Sequence, residues 1–169
     1  MKENERQTIE FPIDIFFSDE DWKLISPEWT VKLYIDKENK DEIINFLITE
    51  ESARKRLNNI FNIIFSGNYR DKLYRKENIN EDTKNITAMK FAFTSNKGGK
   101  LNARIYCKEF FEDEEPKFKK IIMLFFLRHK DEQKIPAKTK RKIIQMNEFD
   151  YLFYEESDEE SYEDFDNEI

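Results

Sequence analysis

A histidine, two arginines, a tyrosine and a crowd of lysines in the second half of the chain are the residues with chemistry in them. Ten bases lie between Lys117 and Lys142 (Lys117, Lys119, Lys120, Arg128, Lys130, Lys134, Lys138, Lys140, Arg141 and Lys142), opposed only by Asp131 and Glu132. Positive charge at that density suits a phosphodiester backbone. A solvated basic face on a lysine-rich chain is the competing reading. Upstream, Leu101, Ala103, Ile105 and Cys107 alternate with Asn102, Arg104, Tyr106 and Lys108. If Leu101, Ala103 and Ile105 share a core with Met89, Phe91 and Phe93, then Lys90, Arg104 and Tyr106 share the opposite face. Cations placed there would hold a scissile phosphate and stabilise the charge that develops during in-line attack. Tyr106 would stack on a base or relay a proton. An ordinary exposed strand face uses the same residue types. His129, the single histidine, sits between Arg128 and Lys130 just past an apolar run. Two flanking cations favour the neutral imidazole, which can act as a general base on a ribose 2′-hydroxyl. An incidental exposed histidine is the alternative.

Other chemistries are excluded by what is missing. Cys107 is the single cysteine, so an intrachain disulfide and a cysteine-based zinc site are ruled out. One histidine leaves no histidine cluster for a metal, and no cofactor is expected. The chain has three glycines, and Gly98-Gly99 matches neither GxGxxG nor GxxxxGK[ST], which removes the nucleotide-binding folds. Asp113, Glu114 and Glu115 have no partner motif and read as solvated. The formal charge of −7 is dominated by residues 155–169, which hold nine acids and no base. Residues 1–154 carry 27 acids against 29 bases, near +2, so the body is free to bind an anion. The N-terminus is charged, and the longest apolar run, 121–127, is too short to span a bilayer. A cytoplasmic protein with no membrane partner is expected.

The elements that must position these residues follow from periodicity. Residues 1–28 read as an N-terminal extension holding one short edge strand, from the alternation of Ile9, Phe11, Ile13 and Ile15, and a helical turn near 18–22. Residues 29–35 alternate as a half-buried strand. Asp41 opens a helix with Ile43, Ile44, Leu47 and Ile48 on its stripe, and 52–66 forms a second, carrying Ala53, Leu57, Ile60, Phe61 and Ile64, with Gly67 as its cap. Residues 68–85 read as a loop. Strands are expected at 86–94, 101–108 and 121–127, with a connection over 110–119 and a last helix over 138–151. The expected fold is α+β: a small antiparallel sheet covered by two N-terminal helices and a closing C-terminal helix, spanning 29–154. Residues 155–169 read as a disordered acidic tail.

This order, with two patches, resembles the RelE/HigB/ParE superfamily of type II toxin–antitoxin toxins, its HigB-like members in particular. The first patch is Lys100-Leu101-Asn102-Ala103-Arg104-Ile105-Tyr106, similar to the family's strand with an arginine followed closely by a tyrosine. The second is Ile121-Ile122-Met123-Leu124-Phe125-Phe126-Leu127-Arg128-His129-Lys130 followed by Gln133-Lys134-Ile135-Pro136, like an apolar strand ending in paired basics before a closing helix. The resemblance implies a metal-independent endoribonuclease that cleaves mRNA, often on the ribosome, and is silenced by an antitoxin. It casts Arg104 as a phosphate clamp, Arg128 and Lys130 as its neighbours, and His129 or Tyr106 as the acid or base. Lys90, Lys134, Lys138 and Arg141 would hold the RNA. The alternative is a non-catalytic protein- or nucleic-acid-binding module of the same fold, from a phage or mobile element. The acidic tail is foreign to the family pattern, and with Tyr162 and Phe165 among its carboxylates it could imitate a nucleic acid.

Overall fold

The computed structural model describes residues 4–21, 31–66, 72–77, 79–114, 117–129 and 135–154, without the side chains of 65, 66, 112–114 and 117–119. Its elements run β1 (Glu5–Glu10), α1 (Ile13–Phe16), β2 (Val31–Asp36), α2 (Lys40–Thr49), α3 (Glu51–Ser66), β3 (Tyr74–Lys76), a 3-10 turn (Glu81–Thr83), β4 (Ile86–Thr94), β5 (Lys100–Glu114), β6 (Lys117–His129), α4 (Ala137–Glu148) and β7 (Asp150–Tyr154). The seven strands form one sheet in the order β3-β4-β5-β6-β2-β1-β7. The sheet curls into a half-barrel. It is mixed: β2 runs parallel to β6 and β1 parallel to β7, while the other neighbours are antiparallel.

The expected small antiparallel sheet is therefore overturned. Its antiparallel part exists as β3 to β6, where each strand follows its partner closely in sequence. The remainder comes from segments assigned elsewhere. The extension expected over 1–28 supplies β1, an interior strand between β2 and β7 rather than an edge. The loop expected over 68–85 contains β3 and the 3-10 turn, which Asn80 caps by accepting from the Asp82 and Thr83 amides. The connection expected over 110–119 is the far end of a long hairpin, with β5 and β6 paired out to Glu114 and Lys117. The last helix stops at Glu148, and the chain turns at Phe149 into β7. Gly67 and the tail 155–169 lie outside the described residues.

Both faces of the sheet are covered. On one, α2 and α3 bury Ile43, Phe46, Leu47, Ala53, Leu57, Ile60, Phe61 and Ile64 against Leu33, Ile35, Met89, Phe91, Ala103, Ile105, Cys107, Ile122 and Leu124. The α3 stripe is the one its 3.6-residue periodicity announces. On the other, α4 lays Ile143 and Met146 over Tyr34, Ala88, Tyr106, Ile121, Met123, Phe125 and Phe126. Strand β6 is thus buried on both sides, which explains its unbroken apolar run. The β4–β5 turn closes with the Gly98 amide on the Ser95 carbonyl at 2.9 Å, and Gly98 takes a φ of 91° that residues with a Cβ rarely adopt. Among the described residues, no helix is long and apolar enough to cross a membrane.

One irregularity controls the placement of everything beyond it. Tyr106 pairs with Phe126, but Cys107 pairs with Leu124, so Phe125 is an extra residue in β6. A bulge of this kind shifts the alternation by one. Phe125 and Phe126 consequently both face the α4 side, and every later side chain of β6 lies on the face opposite to the one strict alternation assigns.

Candidate nucleic-acid interface

The β4–β5–β6 register sets three cations in line. Lys90 pairs with Arg104 and Arg104 with Arg128, forming a row straight across three adjacent strands on the α4 side. The neighbouring row is Arg75, Ala88, Tyr106 and Phe126. Like charges directly opposite one another on paired strands destabilise a sheet. The row persists because its members are individually held. Arg104 is almost wholly buried and its Nη1 lies 3.0 Å from Oε1 of Glu77, an equally buried carboxylate just past β3. The Glu77 amide donates to the Ile86 carbonyl at 2.9 Å, which fixes the acid at the sheet edge. Arg128, half-buried, donates from Nη1 to the Tyr106 hydroxyl at 3.2 Å. The Tyr106 ring is fully buried and stacks on Phe126 with centroids 4.8 Å apart.

Helix α4 extends the charge. Lys142 places Nζ 4.4 Å from the Phe126 centroid, joining the helix to the strand row through an aromatic ring. Lys138 and Arg141 are exposed, three residues apart on the side of α4 away from Ile143 and Met146, whereas Lys142, four residues before Met146, flanks the buried stripe. The helix contains no acid before Glu148. Arg75, Lys90 and Arg128 on the strands and Lys138, Arg141 and Lys142 on the helix are the exposed or half-buried cations of this side, while Arg104 among them is buried and neutralised by Glu77.

The residues singled out from sequence divide. Lys90, Arg104, Tyr106 and Arg128 come together on one face, as strand alternation implies for the first three. His129 does not join them. It pairs with Ala103, is exposed on the α2–α3 side, and packs T-shaped against the Phe46 ring with centroids 5.8 Å apart. The bulge at Phe125 makes this division, bringing Arg128 to the Arg104 face and sending His129 to the other. Tyr106 is sealed within the second core, where a substrate does not reach it. Lys138 and Arg141 are on α4 as described, and Lys130 and Lys134 lie outside the described residues.

Sequence reasoning passed over a second polar cluster, on the α2–α3 side. The Tyr74 hydroxyl donates to Oε2 of buried Glu109 at 2.7 Å and accepts from Thr87 Oγ1 at 2.8 Å. Lys120 Nζ stands 3.4 Å from the same Glu109 oxygen and over the Phe111 ring. Burial raises the Glu109 carboxyl, against the Tyr74 hydrogen bond and the charge of Lys76, and pushes the Lys120 ammonium down to about 8. Burial also raises Tyr74 and Cys107 well above their ordinary values, so the phenol and thiol stay protonated. The cluster ties β3, β4, β5 and β6 together. Its one legible trace is Glu109, an acid in phase with the apolar residues Ile105 and Cys107.

At the opposite edge, Arg6 makes a two-pronged contact with fully buried Asp36, Nε to Oδ1 at 3.1 Å and Nη2 to Oδ2 at 2.6 Å. Its guanidinium lies between the Phe125 and Phe149 rings, about equidistant at 5.0 and 5.1 Å. Among the described residues no cluster of histidine, cysteine and carboxylates could hold a metal ion. No protein-family model matches the chain, and comparison with curated proteins and with solved structures gives no significant match.

Proposed function

We propose that this protein is a nucleic-acid-binding module whose basic α4 face holds a phosphodiester backbone, single-stranded RNA first among the candidates, without cleaving it. The observation that carries the reading is the set of accessible cations on one side of the sheet, Lys90 and Arg128 in one strand row with Lys142, Arg141 and Lys138 on α4. Backbone binding needs spaced cations and little else. Cleavage by a 2′-hydroxyl also needs a base and a phosphate clamp converging on one substrate. Here His129 is across the sheet from Arg104 and Arg128, Tyr106 is buried, and Arg104 is engaged by Glu77. The geometry favours holding over cutting.

The test is fluorescence anisotropy with a labelled 20-nucleotide single-stranded RNA, and the same sequence as DNA, between 50 and 300 mM salt. Four or five neutralised phosphates give a log–log slope of about −3. The double variant Lys138→Ala/Arg141→Ala should weaken binding at every RNA sequence and flatten the slope by roughly one unit or more. Absence of salt-dependent binding to both polymers would sink the reading. A parallel incubation with translating ribosomes is expected to leave mRNA intact. New ends bearing 2′,3′-cyclic phosphate, lost in Arg128→Ala, would instead restore the toxin-like endoribonuclease and its requirement for an antitoxin.

A further inference from the structure

We infer that Tyr106, although sealed in the core, is a positioning residue of the interface, its hydroxyl aiming the Arg128 guanidinium at a single phosphodiester group. This deepens the nucleic-acid reading of the α4 side and rests on it. The Tyr106 hydroxyl accepts from Arg128 Nη1 at 3.2 Å, and its ring is fully buried and stacked on Phe126. A ring packed in a core keeps one orientation, so the anchor is fixed. Held by Nη1, the guanidinium still has its Nε–Nη2 edge, two parallel N–H groups spaced to meet two oxygens of a carboxylate or a phosphate. The chain uses that same edge elsewhere, where Arg6 grips Asp36 with Nε at 3.1 Å and Nη2 at 2.6 Å. Among the described residues no carboxylate pairs with Arg128. Arg104, directly opposite on β5, is the contrast. It is buried and neutralised by Glu77 at 3.0 Å, whereas half-buried Arg128 is anchored by a neutral hydroxyl. A cation anchored in that way keeps its charge for a ligand. A second cation touches the same pair of rings: exposed Lys142 has Nζ 4.4 Å from the Phe126 centroid.

An arginine on an open surface loses rotamer freedom when it grips a phosphate, and that loss weakens the contact. The Tyr106 anchor imposes the order before the ligand arrives. Tyr106 touches no ligand itself, so removing its hydroxyl should matter only while Arg128 is present. Lysine at position 128 would keep the charge and lose the two-pronged edge.

The experiment is a double-mutant cycle on the full chain, read by anisotropy with the labelled single-stranded RNA at about 50 mM salt. Tyr106→Phe keeps the ring and its stack and removes only the hydroxyl. It should weaken binding about fivefold, and Arg128→Ala about tenfold or more. The double variant should bind as Arg128→Ala does. Losses that multiply would overturn the positioning role, because Tyr106 would then act without Arg128. Arg128→Lys should keep the wild-type salt slope yet bind about tenfold more weakly. Wild-type affinity in that variant would overturn the two-pronged grip. Nitrogen-15 NMR of the arginine side chains reads the anchor without any nucleic acid, with Arg128 assigned by its disappearance in Arg128→Lys. Its Nη protons should rotate slowly in the wild type and average in Tyr106→Phe. Averaging in both proteins would overturn the anchor. Slow rotation in the wild type without salt-dependent RNA binding would instead overturn the nucleic-acid reading and leave the anchor standing.

Discussion

Arg104 is the residue whose meaning changes most once its neighbours are seen. In the strand pattern it is a cation on an open face; in the molecule it is a buried half of an ion pair with Glu77 at 3.0 Å. Removing one member of such a pair leaves a desolvated charge, so Glu77→Ala should lower unfolding stability by about 3–5 kcal/mol. The double replacement Arg104→Met/Glu77→Leu should recover most of that loss in urea titrations. A double variant as unstable as Glu77→Ala would mean that the pair does more than neutralise itself. Lys120 supplies a pH-dependent counterpart. Burial holds its ammonium at about 8, below its ordinary value of 10.5. The native state therefore releases this proton before the unfolded chain does. The penalty is complete below pH 8 and is relieved as pH rises towards 10.5. Relative to Lys120→Met, the wild type should gain about 2 kcal/mol of stability between pH 8 and 10, read from urea midpoints. A difference that does not change with pH would place the Lys120 ammonium in water.

Among the elements, the outcome depended on how far apart in sequence the partners are. The α3 stripe, the alternation in β4 and β5 and the double-sided apolarity of β6 are all local patterns, and each marks the centre of its element, although β5 and β6 run on beyond theirs into the long hairpin. Strand β1 also alternates, but nothing near it says which strand it joins. Its partner β7 is at the far end of the chain, and the Thr8 hydroxyl donates to the Leu152 carbonyl at 3.0 Å across 144 residues. Strand β7 itself is short and follows Phe149 directly, so helix and strand read as one segment in the sequence. Thr8→Val keeps the shape and removes the hydroxyl of this fully buried residue. It should cost about 1 kcal/mol. Faster amide exchange should appear first in 150–154, and uniform loss of protection over the whole sheet would contradict a local role. The bulge is a subtler case. A single extra residue, Phe125, decides the face of every side chain after it, and no composition signal marks it.

For the molecule as a whole, the net charge does not say where the cations lie. One side of the sheet is closed by α2 and α3; the other carries the cation row and α4. A salt titration of RNA binding should therefore respond to α4 charges and be blind to those of α3. Arg54→Ala/Lys55→Ala should leave affinity and slope unchanged, whereas Lys138→Ala/Arg141→Ala should reduce both. Equal effects from the two pairs would indicate non-specific attraction by the chain's total charge. The amino-acid sequence by itself determined the α3 stripe, β4 and the central stretches of β5 and β6, the separation of Lys90, Arg104 and Tyr106 from the face of Met89, Phe91, Ala103 and Ile105, and the exclusion of disulfide, zinc and nucleotide-loop chemistry. These depend on residue type and on periods of two or 3.6, which are written in consecutive positions. Only the tertiary structure decided that β1 and β7 complete a mixed sheet, that Glu77 engages Arg104, and that Arg128 and His129 part company. Those outcomes depend on pairing between distant segments and on one bulge, where the free energy lies in contacts that no stretch of sequence contains.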